Sequence, residues 1–199
     1  MSRLLLATRN TRKLAELQRV LDSAGLAVSI VGLSSVDAYD EVPETGLTFG
    51  ENALIKAREG VLHTGLPTAA DDSGLAVDAL NGMPGVFSAR WSGAHGDDRA
   101  NLDLVLSQIS DVPDRLRGAA FVCAAVLVLP DGSEFTVEAQ MRGHLIGSPR
   151  GTGGFGYDPI FVAEGESRTN AELHPDEKDT ISHRGKAFRA LAGIIAKEL

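Results

Sequence analysis

Apolar positions along this chain change their spacing several times, and each change marks an element. "RLLLA" is an unbroken apolar run of strand length that gives way to polar "TRNTRK", the pattern of a buried strand. Leu14, Leu17, Val20 and Leu21 then recur at helical spacing until Gly25 stops them. "LAVSIVGL" predicts a second strand, followed by the acidic turn "DEVPETG". Thr48 and Glu51 stand three apart, the spacing of a capping box. They open a helix that presents Ala53, Leu54, Ala57 and Val61 and ends near Gly65. "PTAADDSG" reads as a strand ending in two carboxylates. Asp97 or Asp98 caps a helix with Leu102, Val105, Leu106 and Ile109 inward. "RGAAFVCAAVLVLPDGSEFTVEAQMRG" predicts two strands around the turn Pro130-Asp131-Gly132, and "PIFV" a further strand. Ser182 opens the last helix, which turns Ala187, Leu191, Ile194 and Ile195 to the core. Strands and helices alternate early while the middle is an antiparallel ribbon. This predicts an α/β fold with a mixed β-sheet flanked by helices, not a doubly wound parallel sheet. Residues 1–199 are read as one domain.

Composition narrows the partners. The formal net charge of -8 lacks the basic excess of a surface that binds DNA or RNA. A small polyanion held by a few cations and a metal ion remains compatible with it. The longest apolar run, "AAFVCAAVLVL", is too short to span a bilayer, so no membrane association is expected. "MSRLLLATRN" has too few apolar residues for a signal peptide. Cys123 is the only cysteine and sits in the apolar run, as a buried core residue would. A chain without an intramolecular disulfide suits a reducing compartment, and a cytoplasmic location is expected.

"RGTGGFGYDP", Arg150 to Pro159, contains the letter pattern of a dinucleotide-binding glycine fingerprint. That fingerprint needs a helix after its last glycine, because pyrophosphate binds the free amides of the helix start. Here Gly156 is followed by Tyr157-Asp158-Pro159, where proline biases Asp158 toward an extended conformation, and then by strand-forming Ile160, Phe161 and Val162. The glycines therefore read as room for the backbone to approach a flat ligand, with Phe155 and Tyr157 offering ring faces. On the loop alone, a flexible hairpin exit with a core phenylalanine is an equal reading.

Four other polar stretches sit at ends of predicted elements. "TRNTRK", Thr8 to Lys13, leads into a helix start, where hydroxyl, amide and cationic groups suit a phosphate, although Thr11 could serve only as a cap. In "ADDSG" the adjacent Asp71 and Asp72 point to opposite faces of a strand, so one can face a site while the other makes a structural contact. Glu44 adds a third carboxylate, and hard oxygen ligands of this kind suit Mg²⁺ bridging to phosphates. "EKDTISHRGKA" places Lys178, His183 and Arg184 around the start of the final helix, a donor set for an anion or a carbonyl oxygen.

Taken together, "TRNTRK", "PETGLTFGENALIKA", "ADDSGLAVDAL", "GFGYDPIF" and "EKDTISHRGKA" resemble the inosine/xanthosine triphosphate pyrophosphatase family, over about Leu4 to Leu191. Asp179 departs from it, since asparagine is common after the lysine. The resemblance implies an elongated mixed sheet with two lobes and a central substrate cleft, and a homodimer. It implies Mg²⁺-dependent hydrolysis of deaminated purine nucleoside triphosphates (ITP, dITP, XTP, dXTP) to the monophosphate and pyrophosphate. By motif position Glu44 and Asp72 would hold Mg²⁺, and Asp72 would also accept the proton of the attacking water. Thr8, Arg9, Asn10, Thr11, Arg12, Lys13 and Lys56 would hold phosphates, and Ser73 would touch substrate beside the metal. Phe155, Gly156, Tyr157 and Asp158 would line the nucleoside pocket, while Lys178, His183 and Arg184 would meet the base edge. A nucleotide-binding sensor and a pyrophosphatase for pyrimidine or modified nucleotides are the competing classes.

Overall fold

The computed structural model describes residues 2–40 and 42–199; Met1 and Glu41, the latter part of the predicted acidic turn, lie outside them. The chain runs β1 (Ser2–Leu6), α1 (Thr11–Ser23), β2 (Val28–Gly32), α2 (Phe49–Thr64), β3 (Thr68–Val77), α3 (Asp98–Gln108), β4 (Gly118–Val128), β5 (Glu134–Leu145), β6 (Phe161–Ala163), α4 (Pro175–Ile181) and α5 (His183–Glu198). One six-stranded sheet has the order β2-β1-β3-β4-β5-β6. β1 pairs in parallel with both β2 and β3, and β5 pairs antiparallel with β6, so the sheet is mixed, as the pattern predicts. No helix among the described residues is long and apolar enough to cross a membrane.

The predicted caps form. Thr48 Oγ1 accepts from the Glu51 N–H, and the Glu51 carboxylate accepts in return from the Thr48 N–H, completing the capping box of α2. Gly65 closes that helix in the left-handed conformation (φ 65°), which its lack of a Cβ makes inexpensive. Asp97 caps α3 by accepting from the Ala100 N–H, which leaves Asp98 unused as a cap. The α1 cap is Asn10, not Thr11: its Oδ1 accepts from the Arg12 N–H.

Two sequence expectations need correction, and one element adds to them; Ser182 does open the last helix, which begins at His183. β3 does not stop at its carboxylates but continues through Ser73 and Gly74 to Val77. Leu75 and Val77, both fully buried, extend the strand because the core takes every second residue there. Asp158 is not extended; it begins a single 3-10 turn, Asp158–Ile160, before β6. That turn is too short to offer the helix start a dinucleotide fingerprint requires. Finally, a separate short helix, α4, precedes α5, and Ser182 between them donates its hydroxyl to the Asp179 carbonyl.

The chain divides into two compact units. The first comprises residues up to Asp72, Cys123–Ala139 and Arg184–Leu199; the second comprises Ser73–Val122 and Gln140–His183. In the first, α1 and α5 bury Leu17, Leu21, Ala187, Phe188, Leu191 and Ile195 with Leu4 and Leu6 of β1 and Cys123, Ala125 and Leu127 of β4. A smaller cluster joins Ala53 and Ala57 of α2 to Ala7, Ala70, Val126 and Val128. In the second, Leu102, Val105 and Ile109 of α3 pack with Leu75, Val77, Phe121, Leu145, Tyr157 and Phe161. The helical faces drawn from the sequence are the ones buried, and Cys123 is a buried thiol.

In the first unit a carboxylate is buried within this apolar frame. Asp71, 3 % exposed, accepts from Lys13 Nζ at 2.7 Å, with Arg184 Nε at 3.5 Å; Arg184 NH1 also lies 3.6 Å from Glu16. Burial by itself would raise the Asp71 pKa. The Lys13 and Arg184 charges outweigh it and hold the carboxyl down at about 2, against an ordinary 3.8. The unfolded chain therefore binds this proton more readily. The pair's stabilisation is present above pH 4 and is lost as pH falls toward about 2, a pH-dependent part of about 2 kcal/mol. Asp71→Asn is expected to be less stable than the parent at pH 7, with the gap narrowing between about pH 4 and pH 2 in urea titrations. A gap that stays constant across that window would contradict the assignment.

Candidate active site

In the first unit, β1 ends at Leu6 and the chain turns into α1 through Thr8-Arg9-Asn10. Thr8 Oγ1 accepts from the Asn10 N–H and Asn10 caps the helix, so the turn is fixed by its own side chains. Thr8, Arg9 and Thr11 line a pocket of about 390 Å³ closed by Leu14, Leu33, Ser34, Asp37, Ala38 and Tyr39. Arg9, Asn10, Thr11 and Arg12 are exposed, and Lys13, one turn on, reaches back to Asp71. This is a helix start with hydroxyls and cations around it, the arrangement that favours an anion.

The acidic turn is held against α2 by backbone bonds to side chains. Asn52, fully buried, accepts from the Gly46 N–H and donates to Asp72 Oδ2 at 3.3 Å. A Cβ on Gly46 would lie 2.6 Å from the Glu51 Cβ and 2.7 Å from Asn52 Oδ1, so the close approach requires glycine. The turn thereby presents Glu44, whose Oε1 lies 2.9 Å from Lys56 Nζ; Asp72 Oδ1 lies 3.8 Å from the same ammonium. Burial disfavours the Lys56 charge, but Asp72 and Glu44 outweigh it and raise its pKa above the ordinary value. Glu44 and Asp72 thus converge on one ammonium. Lys56 takes part as their partner. Asn52, which ties turn to strand, escaped the sequence reading; the signal was an amide beside Ala53 on the buried side of a helix.

In the second unit, the glycine loop is fastened from several directions. Asp158, 2 % exposed, accepts from the Phe155 N–H at 2.8 Å and from Lys178 Nζ through one oxygen, and from Asn170 Nδ2 at 3.2 Å through the other. Gly153 N–H donates to the Ala171 carbonyl, and Gly156 N–H donates to Asp98 Oδ2 at 2.8 Å. A Cβ on Gly154 would overlap the Asp158 carboxylate, and φ is 71° there, so the position requires glycine. Phe155 stands 55 % exposed with Lys178 Nζ 5.0 Å from its ring centroid, so it is not the core phenylalanine of the alternative reading.

The other aromatic differs from expectation. Tyr157 is 4 % exposed, packs in the core beside Phe161 and donates its hydroxyl to the Ser88 carbonyl. Burial, and secondarily the Asp98 charge, push its phenol above the ordinary pKa. It anchors the loop and offers no open ring face. His183 is buried with its ring stacked on Phe121, centroids 5.1 Å apart. Arg184 keeps company with Asp71 and Glu16 in the first unit. Lys178, one of the three donors assigned to the base edge, is bound to the Phe155–Asp158 loop through Asp158. Ser73 continues β3 directly after Asp72 and is partly buried.

Comparison with known proteins agrees over the full length. A dITP/XTP pyrophosphatase of Mycobacteroides abscessus is 62 % identical over 194 residues, covering 97 % of this chain and 94 % of that protein. One of Streptomyces coelicolor is 59 % identical over 199 residues, covering all of both chains. Among solved structures, the nucleoside-triphosphatase / dITP/XTP pyrophosphatase of Mycobacterium abscessus superposes with a TM-score of 0.82, covering 95 % of this chain and 98 % of that one, at 62 % identity. A HAM1 protein from Coxiella burnetii superposes with a TM-score of 0.91 at 40 % identity, covering 99 % and 100 %. Residues 4–194 match the sequence profile of the Ham1 family, and with these likenesses the chain belongs to that family.

Proposed function

We propose that this protein hydrolyses deaminated purine nucleoside triphosphates, ITP, dITP, XTP and dXTP, to the monophosphate and pyrophosphate, acting in the cytoplasm as a homodimer. The observation that carries the reading is the convergence of Glu44 and Asp72 on Lys56, in the unit that also holds the polar start of α1. A sensor that only binds nucleotide has no use for two carboxylates gathered beside cations meant for phosphate. The activity named for the relatives supplies the substrate class.

A triphosphate brings about four negative charges to a chain whose own net charge is -8, so neutralisation must be local. Thr8, Asn10 and Lys13 hold phosphate oxygens, aided by Arg9, Thr11 and Arg12 around the helix start. Glu44 and Asp72 fit Mg²⁺: their donors are hard carboxylate oxygens, and they already surround a positive charge. When bound, Mg²⁺ would offset phosphate charge and acidify a bound water. Asp72 takes the proton of the attacking water. Asn52 keeps its carboxylate oriented by donating to Oδ2, while Lys56 holds the other oxygen. Asp71 acts through Lys13, fixing that ammonium, and Arg184 steadies Asp71. Ser73 contacts substrate beside the metal.

The nucleoside is held by the Phe155 loop, where stacking on an exposed ring is worth about 1–3 kcal/mol with little preference among bases. Selectivity then comes from hydrogen bonding. Hypoxanthine and xanthine accept at the 6-oxygen, whereas adenine presents an amino group that would meet a donor. An unpaired buried donor costs about 1–3 kcal/mol. Guanine shares the 6-oxygen and is refused through its 2-amino group. A panel of triphosphates assayed with Mg²⁺ tests this. ITP, dITP and XTP should release pyrophosphate at least about a hundredfold faster, by kcat/KM, than ATP, GTP or pyrimidine triphosphates. Chelating the metal should abolish release and Mg²⁺ should restore it. Comparable kcat/KM for ATP, GTP and ITP, or diphosphate and orthophosphate as primary products, would overturn the proposal.

A further inference from the structure

The sequence offers Asp97 and Asp98 as alternatives for one cap, and the structure uses them differently. Asp97 caps α3, while Asp98, on the first turn of the same helix, accepts the Gly156 N–H at 2.8 Å, 58 positions away in the chain. Gly156 follows Phe155 and has φ 58°, a conformation with no side chain of its own to hold it. An ionised acceptor on a backbone N–H makes a stronger bond than a neutral one. We infer that Asp98 is a positioning residue for nucleoside binding: it clamps the far side of the Phe155 loop while Asn170 and Lys178, through Asp158, clamp the near side.

The geometry divides the work. Asp158 takes the Phe155 N–H from within the loop, and its other oxygen is satisfied by Asn170 Nδ2, so the carboxylate cannot turn away. The Ala171 carbonyl accepts from Gly153, beside Asn170 in sequence, so the 170–171 segment supports the loop from beneath. Asp98 is the one side chain of α3 bonded to the loop's backbone in the described structure, and it is exposed. Between these supports Phe155 is held with Lys178 over one ring face. A base can then stack without first ordering the loop. Removing the clamp should therefore weaken binding of ground state and transition state alike, leaving the chemical step alone.

The identity of the ligand rests on the proposed pyrophosphatase reading, but the clamp itself does not, and the test separates the two. Asp98 is exposed, so Asp98→Ala should fold, and Asp98→Asn keeps an oxygen able to accept from Gly156. In nucleotide-free protein, amide exchange across Gly151–Asp158 should quicken by about tenfold in Asp98→Ala and return close to the parent's in Asp98→Asn. With ITP and Mg²⁺, Asp98→Ala should raise KM about fivefold with kcat nearly unchanged, and Asp98→Asn should restore it. Loop exchange unchanged in Asp98→Ala overturns the clamp, as does an Asp98→Asn no better than Asp98→Ala. A fall in kcat at constant KM also overturns the role in binding. If the parent protein hydrolyses no ITP while the loop still loosens, the clamp stands and the pyrophosphatase reading fails.

Discussion

Asp71 is buried against Lys13 and Arg184, and because neighbouring residues of a strand face opposite sides, that pairing commits Asp72 to the other face of β3. A buried carboxylate without partners would be neutral or strongly destabilising. With two cations it is ionised and fixed in place. It fixes them in turn: Lys13 at the start of α1 and Arg184 at the start of α5 are drawn to one oxygen. The strand register, the direction of the α1 start and the exposure of Asp72 follow from one ion cluster. A one-residue slip of β3 would exchange the two carboxylates and undo all three.

On the opposite face, Asp72 meets donors, Asn52 at 3.3 Å and Lys56 at 3.8 Å, and is only partly buried. The adjacent aspartates thus have different environments. One is spent on order. The other keeps a partly solvated carboxylate beside Glu44, where a hard cation and a water could both be served. The same economy recurs at Asp97 and Asp98, where one caps a helix and its neighbour reaches a distant loop.

Elements with a strong local signal were legible in the sequence. The capping box of α2, the glycine stop at Gly65, the apolar faces of α1, α3 and α5, and the β4–β5 ribbon all follow from local chemistry and short-range spacing. The opposed surroundings of Asp71 and Asp72 also follow from strand alternation. The misreadings arise where a distant partner decides. Ser73-Gly74 resembles a strand end, yet Leu75 and Val77 find a core and carry β3 onward. Tyr157 looks like a stacking platform, but its hydroxyl finds Ser88 and its ring the interior. The ion pairs of Arg184 with Asp71 and Glu16 are likewise beyond any spacing rule. Asn170 carries no motif, and although Asn52 sits within a quoted motif and Asp98 beside a cap, only their long-range bonds reveal what they do.

If Asp71 serves order and Asp72 serves chemistry, the turnover of Asp72→Asn separates the two. The substitution keeps the side chain's shape and its place beside Asn52 while removing its charge. Purified Asp72→Asn, shown to be folded by circular dichroism and thermal melting, should release pyrophosphate from ITP with Mg²⁺ more slowly by about a thousandfold or more. Near-parental turnover in that folded variant would contradict the account.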